Sequence, residues 1–193
     1  MTLALPAAPA PAPRRQLLVG SLLAATTMVM LTGSMLGIWA LQRTRSLDLF
    51  DTWVPDGVTI PEVPSNVMLV AFVGVGVMVQ WAHWAAMHGD RAHTVLALAL
   101  TGLFGILIIN AQAFIWFEMG LGIADGTYQA MFYAITGMFV VLLIIGVLFT
   151  MVASFRFIGG REDDRELLAS HAIYWYTVAV CYAGIWFVVY VTK

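Results

Sequence analysis

Long apolar segments alternate with short polar ones along this chain of 193 residues. The middle of each of five long segments contains no Asp, Glu, Lys or Arg. Each segment is long enough to cross a hydrocarbon layer roughly 30 Å thick, which takes about 20 helical residues. No period-two alternation of the kind that strands require competes with them. The pattern predicts an all-α integral membrane protein, a bundle of five transmembrane helices over residues 17–41, 66–87, 94–117, 127–155 and 167–191.

The chain divides into a short tail and one membrane domain. Residues 1–13 are a tract dominated by Ala and Pro, which neither holds a helix nor packs a core. We therefore expect a disordered tail over 1–13 and a single transmembrane domain over 14–193.

The composition agrees with membrane insertion and excludes several kinds of function. Hydrophobic residues make up 61% of the chain and charged residues 10%, with a mean hydropathy of +0.89, whereas soluble domains carry roughly 25% charged residues. A net charge of −2 provides no basic patch, so we expect no nucleic acid partner. The single cysteine, Cys181, excludes a disulfide framework and a thiolate metal cluster.

The basic residues between the apolar segments predict the orientation of the chain. Lys and Arg of short loops remain on the cytoplasmic side of a membrane. With five spans, one side carries Arg14, Arg15, Arg91, Arg156, Arg161 and Arg165, and the other carries Arg43, Arg45 and Lys193. This division favours a cytoplasmic N-terminus and a C-terminus outside.

Few side chains in the apolar segments offer redox or proton-transfer chemistry. Haem needs paired histidines, and a proton route needs acidic or histidine positions inside the bilayer. Apart from small hydroxyls, the polar groups at membrane depth are Gln80, His83, Asn110 and Gln112. We expect these groups to hydrogen-bond between helices, because an unsatisfied polar group in the bilayer is costly. A bundle of this kind is expected to serve a larger assembly.

Three histidines, His83, His88 and His93, are spaced by five residues. Each step of five turns a helix by about 140°, which separates the side chains. We therefore predict no metal site and no catalytic residue in this chain.

A series of motifs in the central segments carries a family resemblance. The first runs without a gap through Trp81, Ala82, His83, Met87, Gly89, Asp90, Arg91, Thr94, Leu100, Thr101, Gly105, Gln112 and Ala113. Further matches are Trp53, Pro55, Gly57, Pro61, Glu62, Pro64, Glu118, Asp125, Gly126, Tyr128, Thr136, Gly137, Gly146, Arg156, Tyr174 and Trp175. On these residues the chain resembles the subunit III family of the haem-copper oxidases, cytochrome c oxidase subunit 3. The larger members have seven helices, and this chain is similar to their five-helix part.

The resemblance implies an accessory subunit without cofactors of its own. Haem and copper are then expected in partner subunits of a proton-pumping terminal oxidase that reduces dioxygen to water. The subunit is expected to pack on subunit I, near subunit II and other respiratory-complex subunits, in a bacterial cytoplasmic membrane. It is also expected to bind phospholipid and to support proton uptake and the stability of the complex.

Two groups of residues carry those finer expectations. Arg156 matches a family arginine that holds a phospholipid head group, and His83 and Trp81 are assigned to lipid binding with it. Alternatively, Arg156 is a positive-inside anchor, and His83 is a group that hydrogen-bonds between helices. The carboxylates that are expected to collect protons are Glu162, Asp163 and Asp164. Alternatively, these three belong to a solvated turn before the next helix.

Several polar positions of the family are replaced here, and two other functions stay open. Ile115, Phe139, Leu142, Tyr176 and Ala179 stand where the family has acidic or histidine residues, and the first helix has no acidic residue before Asp48. Loss of both partners of a buried polar pair can be nearly neutral. The alternatives are a subunit-III-like partner of a nitric oxide reductase and a stand-alone small membrane transporter.

Overall fold

The computed structural model describes residues 15–160 and 165–192, and these ranges contain helices and no strand. Five helices are long and apolar enough to cross a membrane. They are α1 (Gln16–Phe50), α2 (Glu62–Met87), α3 (Arg91–Met119), α4 (Thr127–Ile158) and α5 (Arg165–Ile185), the last continuing as a π-helix (Trp186–Val191). The prediction of an all-α, multi-pass membrane protein with five transmembrane helices is confirmed. The tail over 1–13 lies outside the described residues.

The helices extend beyond the apolar segments from which their ends were predicted. The apolar pattern ends the first helix at residue 41, whereas α1 continues to Phe50. Gln, Arg and Leu between these points favour helix, so the helix continues past the end of the apolar segment. Helix α2 begins at Glu62 rather than at residue 66, because Pro64 is tolerated in the first helical turn.

Hydrogen bonds between distant residues define two sides of the bundle. On the side called the N-terminal side, Leu18 N–H donates to Glu166 Oε1 at 2.9 Å. On the opposite, C-terminal side, the hydroxyl of Tyr182 donates to the carbonyl of Ser65 at 2.8 Å. The N-terminal side therefore holds the α2–α3 turn and the start of α5, and the C-terminal side holds the α1–α2 and α3–α4 loops.

Helix α5 is the centre of the bundle. It packs against α1, α2 and α4, while α3 lies between α2 and α4. Helix α1 is peripheral and buries Met28, Thr32 and Trp39. Its remaining surface is open to lipid or to another protein.

The most tightly packed point of the interior is the indole of Trp175 on α5. Its side chain is fully buried between Gly105 of α3 and Gly146 of α4. A Cβ atom at Gly105 would lie 2.9 Å from the Trp175 ring and 2.7 Å from Val147, and one at Gly146 would lie 3.1 Å from the same ring. Glycine at both positions lets three helices approach the indole closely.

Candidate functional site

The motif residues of the α2–α3 turn close that turn and fix the start of α3. Gly89 has a φ of +72°, a conformation that favours glycine. Asp90 is the N-cap residue, and its Oδ1 accepts a hydrogen bond from His93 N–H at 3.0 Å. This bond, together with the one to the His93 ring, holds the pKa of the Asp90 carboxyl below its usual value. The motif residues of this turn therefore cap the N-terminus of α3.

Arg91 of the same motif joins two helices. Its Nη2 donates to the carbonyl of Ile158, the last residue of α4. The final carbonyls of a helix have no partner within the helix, and a basic side chain satisfies one of them. Arg91 therefore ties the start of α3 to the end of α4.

A groove lies beside Arg156 in the last turn of α4. Its volume is about 360 Å³, and it is lined by Val152, Phe155, Arg156 and Gly159. Phe155 and Val152 are exposed there. The groove thus combines an apolar wall with a guanidinium, which is the chemistry that an acyl chain and a phosphate require.

Trp81 and His83 do not line that groove. Trp81 packs on the cluster of apolar side chains near the N-terminal side, and its ring lies 5.8 Å from the ring of His93. His83 is half-buried, and its buried Nδ1 has no hydrogen-bond partner among the described residues. The structure therefore does not bring the three residues assigned to lipid binding together, and the expected interhelical bond of His83 is not formed within this part of the chain.

The Asp-Gly-x-Tyr motif closes the α3–α4 loop on the C-terminal side. Asp125 Oδ2 accepts a hydrogen bond from Gly122 N–H at 2.9 Å, and Gly126 directly precedes α4. The ring of Tyr128 lies 5.3 Å from that of Trp39 and 5.4 Å from that of Trp53. This aromatic contact joins α1, the α1–α2 loop and α4, and all three side chains are buried.

Of the other polar residues expected to bond between helices, the two glutamines do so and Asn110 does not. Gln80 accepts from the hydroxyl of Tyr176 at 2.9 Å, and the fully buried Gln112 accepts from Tyr190 at 3.4 Å. Both bonds join helices, in agreement with the prediction. Asn110 is exposed on α3 instead.

Two other motif residues, Glu118 and Gly137, have no structural role within the described residues. Glu118 is exposed in the last turn of α3. A Cβ at Gly137 would meet open space, so packing within the described chain does not require glycine there. Glu162, Asp163 and Asp164 lie outside the described residues.

His171 is a buried polar residue that sequence reasoning did not single out. It is 1% exposed, and its Nε2 lies 2.8 Å from Thr150 Oγ1 and 3.1 Å from Trp175 Nε1. Trp175 Nε1 also donates to Thr150 Oγ1 at 3.0 Å. The sequence contained a signal for it, because His171 is a polar residue within the predicted membrane segment 167–191. The cluster satisfies the indole N–H inside the bundle.

The three histidines spaced by five residues do not share a partner. His88 Nδ1 lies 2.9 Å from the carbonyl of Trp84, His93 bonds to Asp90, and His83 is on α2. Among the described residues, no group of three His, Cys, Asp or Glu side chains is placed to hold a metal ion.

The chain is similar to known proteins along nearly its whole length. The family model for cytochrome c oxidase subunit III matches residues 13–193. Cytochrome c oxidase subunit 3 of Xenopus laevis is 34% identical over 161 residues, which are 80% of this chain and 60% of the relative. The same subunit of Strongylocentrotus purpuratus is 31% identical over 153 residues, which are 75% of this chain and 56% of the relative. The chain therefore spans somewhat more than half the length of these curated relatives.

Proposed function

Because the chain belongs to the cytochrome c oxidase subunit III family, we propose that it is an accessory subunit of a proton-pumping haem-copper terminal oxidase. The observation that carries the proposal is the family match over residues 13–193. In this proposal the chain packs on subunit I, beside subunit II, and stabilises the complex that reduces dioxygen to water. Haem and copper belong to the partner subunits.

The positions of the motif residues support this role. Asp90 and Arg91 close the N-terminal side, Asp125 and Tyr128 close the C-terminal side, and Trp175 fills the middle. These residues stabilise the bundle. An accessory subunit needs such a scaffold, because its contribution is a surface held in a fixed shape.

We further propose that the groove beside Arg156 binds a phospholipid. Arg156 interacts within the chain, and a guanidinium, with five N–H donors, is able to hold a phosphate as a further partner. The exposed Phe155 and Val152 offer a surface for the acyl chain. Native mass spectrometry of the purified complex tests this: Arg156→Gln should lose a bound lipid that Arg165→Gln, a change of another arginine on the same side, retains. Equal lipid content in the two variants would contradict it.

The role of Glu162, Asp163 and Asp164 in collecting protons remains a proposal, supported by the number of carboxylates in this segment. Replacing all three by Gln or Asn should lower turnover of the complex at alkaline pH, where protons are scarce. The same turnover as wild type across the alkaline range would contradict it.

The orientation proposal follows from the arginines on the N-terminal side, among them Arg15, Arg91, Arg156 and Arg165. It places the N-terminus in the cytoplasm and the C-terminus outside a bacterial cytoplasmic membrane. A reporter enzyme that is active only on the non-cytoplasmic side of the membrane should show activity when fused to the C-terminus and no activity when fused to the N-terminus. The reverse result would contradict it.

Purification of the tagged full chain in mild detergent tests the proposed function. Co-elution with a subunit that contains haem and copper is expected. Co-elution with a subunit that contains haem and non-haem iron would assign the chain to a nitric oxide reductase. Purification as a stable chain with transport activity and no partner would overturn the subunit assignment.

A further inference from the structure

Asn110 places an exposed amide within the membrane-spanning part of α3 (Arg91–Met119). The middle of this helix is near residue 105, and at 1.5 Å per residue Asn110 is about 7 Å from it along the axis. The hydrocarbon layer extends about 15 Å to each side of its centre. The amide therefore lies at a depth where lipid acyl chains offer neither donors nor acceptors.

Several other exposed polar side chains in the membrane-spanning segments bond within the chain. Asn66 accepts from the indole of Trp186 at 2.7 Å, and Gln80 accepts from Tyr176 at 2.9 Å. The hydroxyls of Thr26 and Thr27 donate to carbonyls one turn earlier. Asn110 makes no hydrogen bond to any residue that the structure describes. Its amide therefore differs from these four groups.

The residues around Asn110 form a regular exposed surface, here called the α3 seam. Steps of four and three residues connect its members, which are Ala99, Leu103, Ile106, Asn110, Ala113 and Phe117, all exposed. This is the spacing by which two helices pack side by side in a left-handed pair. Ala113, the next seam residue after Asn110, lets a second backbone approach on that side. A single Asn in such a seam fixes the register of the two helices.

The exposed face of α4 is a comparison for the α3 seam within the same bundle. It presents large apolar side chains, among them Val141, Ile145, Leu148, Val152 and Phe155. This face contains no amide among the described residues. The α3 seam differs from this face by the amide of Asn110.

We propose that the α3 seam is the docking surface for a transmembrane helix of a neighbouring subunit. That helix carries an amide, hydroxyl or carboxyl group at the depth of Asn110 and hydrogen-bonds to it. The inference rests on the proposed function, because it needs a complex in which the partner is present.

Photo-crosslinking in the purified complex tests the location of the surface. The photoreactive residue p-benzoylphenylalanine can be incorporated during synthesis, so it is in place before the complex assembles. In place of Ile106 it should crosslink to one polypeptide of another subunit, whereas in place of Leu148 on α4 it should give lipid adducts. Lipid adducts alone from both variants, or a crosslink from position 106 to a second copy of this chain, would overturn the proposal.

The amide itself is tested by substitution. Asn110→Leu should raise the dissociation constant of the chain from the detergent-solubilised complex by roughly three- to tenfold, and Asn110→Gln should restore part of the loss. Leu148→Ala should dissociate like wild type, and the unfolding temperature of the isolated full chain should be the same for all variants. Retention of Asn110→Leu equal to wild type would overturn the proposal; co-elution of the wild-type chain with haem and copper would leave the proposed function standing.

Discussion

At the scale of single residues, the interior is organised around one large side chain and the small residues that accommodate it. Trp175 is enclosed by Gly105 and Gly146, and its N–H reaches Thr150 and His171. Apolar packing and hydrogen bonding therefore depend on the same side chain. Changes near Trp175 should affect stability far more than equal changes elsewhere on α3 and α4.

Gly105→Ala tests the packing. The added Cβ would lie 2.7 Å from Val147 and 2.9 Å from the Trp175 ring, and such overpacking costs about 1–3 kcal/mol of unfolding free energy. Gly102→Ala is the matched control, since its Cβ would lie 3.6 Å from Thr150 and alanine favours helix by about 1 kcal/mol. Unfolding of the full chain in mixed micelles of increasing denaturing detergent measures both. Equal stability of the two variants would contradict the packing argument.

Thr150→Val tests the hydrogen bonds. The change keeps the shape of the side chain and removes the oxygen that accepts from Trp175 at 3.0 Å and contacts His171 at 2.8 Å. We expect a loss of about 1–2 kcal/mol of unfolding free energy, because buried polar groups lose a partner. Thr27→Val is the control: its exposed hydroxyl donates to Leu23, and its loss should cost less than about 0.5 kcal/mol. A neutral Thr150→Val would show that the cluster is not needed for stability.

At the scale of elements, helix ends are tied to one another by side chains from distant parts of the sequence. Glu166 of α5 accepts from Leu18 N–H in the first turn of α1, and Arg91 of α3 donates to the last residue of α4. Each bond satisfies a backbone group that the helix itself leaves without a partner. Four of the five helix ends on the N-terminal side are thereby connected in pairs.

Glu166→Ala tests one of these ties. It should lower the unfolding free energy by about 1 kcal/mol, the usual value of a lost helix cap, and hydrogen exchange at the Leu18 amide should become faster. Glu118→Ala is the control, because this exposed carboxylate lies at a helix C-terminus where negative charge is not stabilising. If exchange at Leu18 is the same in both variants, the tie between α1 and α5 does not stabilise α1.

The sequence predicts the number and type of elements well, since an apolar segment of 20 or more residues has few alternatives to a helix. It predicts the ends less well. Helix α1 continues to Phe50 because helix propensity extends past the apolar segment, and hydropathy does not register that. The contacts between Glu166 and Leu18, or between Arg91 and Ile158, depend on how the helices are arranged in space, which no local pattern contains.

The same limit applies to the candidate site. Gln80 and Gln112 were predicted to bond between helices and do so, because the hydroxyl of a tyrosine from the last membrane-spanning segment reaches each of them. Asn110 has the same chemistry but faces outward, and the direction in which a helical residue faces is set by packing. His171 was missed because it was read as part of an apolar segment, although its partner Thr150 is on another helix.

At the scale of the whole molecule, the chain is a five-helix scaffold of the cytochrome c oxidase subunit III family, and its motif residues stabilise its turns and its centre. Phe139 and Leu142, which stand where the resemblance implies polar residues, are buried apolar side chains. We therefore propose that its contribution to an oxidase is made through its surface, at the groove beside Arg156 and at the α3 seam.

The haem and copper content of the purified complex, measured before and after this chain is removed with detergent, tests the account most directly. We predict that haem and copper per remaining complex stay the same and that the released chain carries neither. Loss of haem or copper together with the chain would contradict the claim that it is an accessory subunit without cofactors of its own.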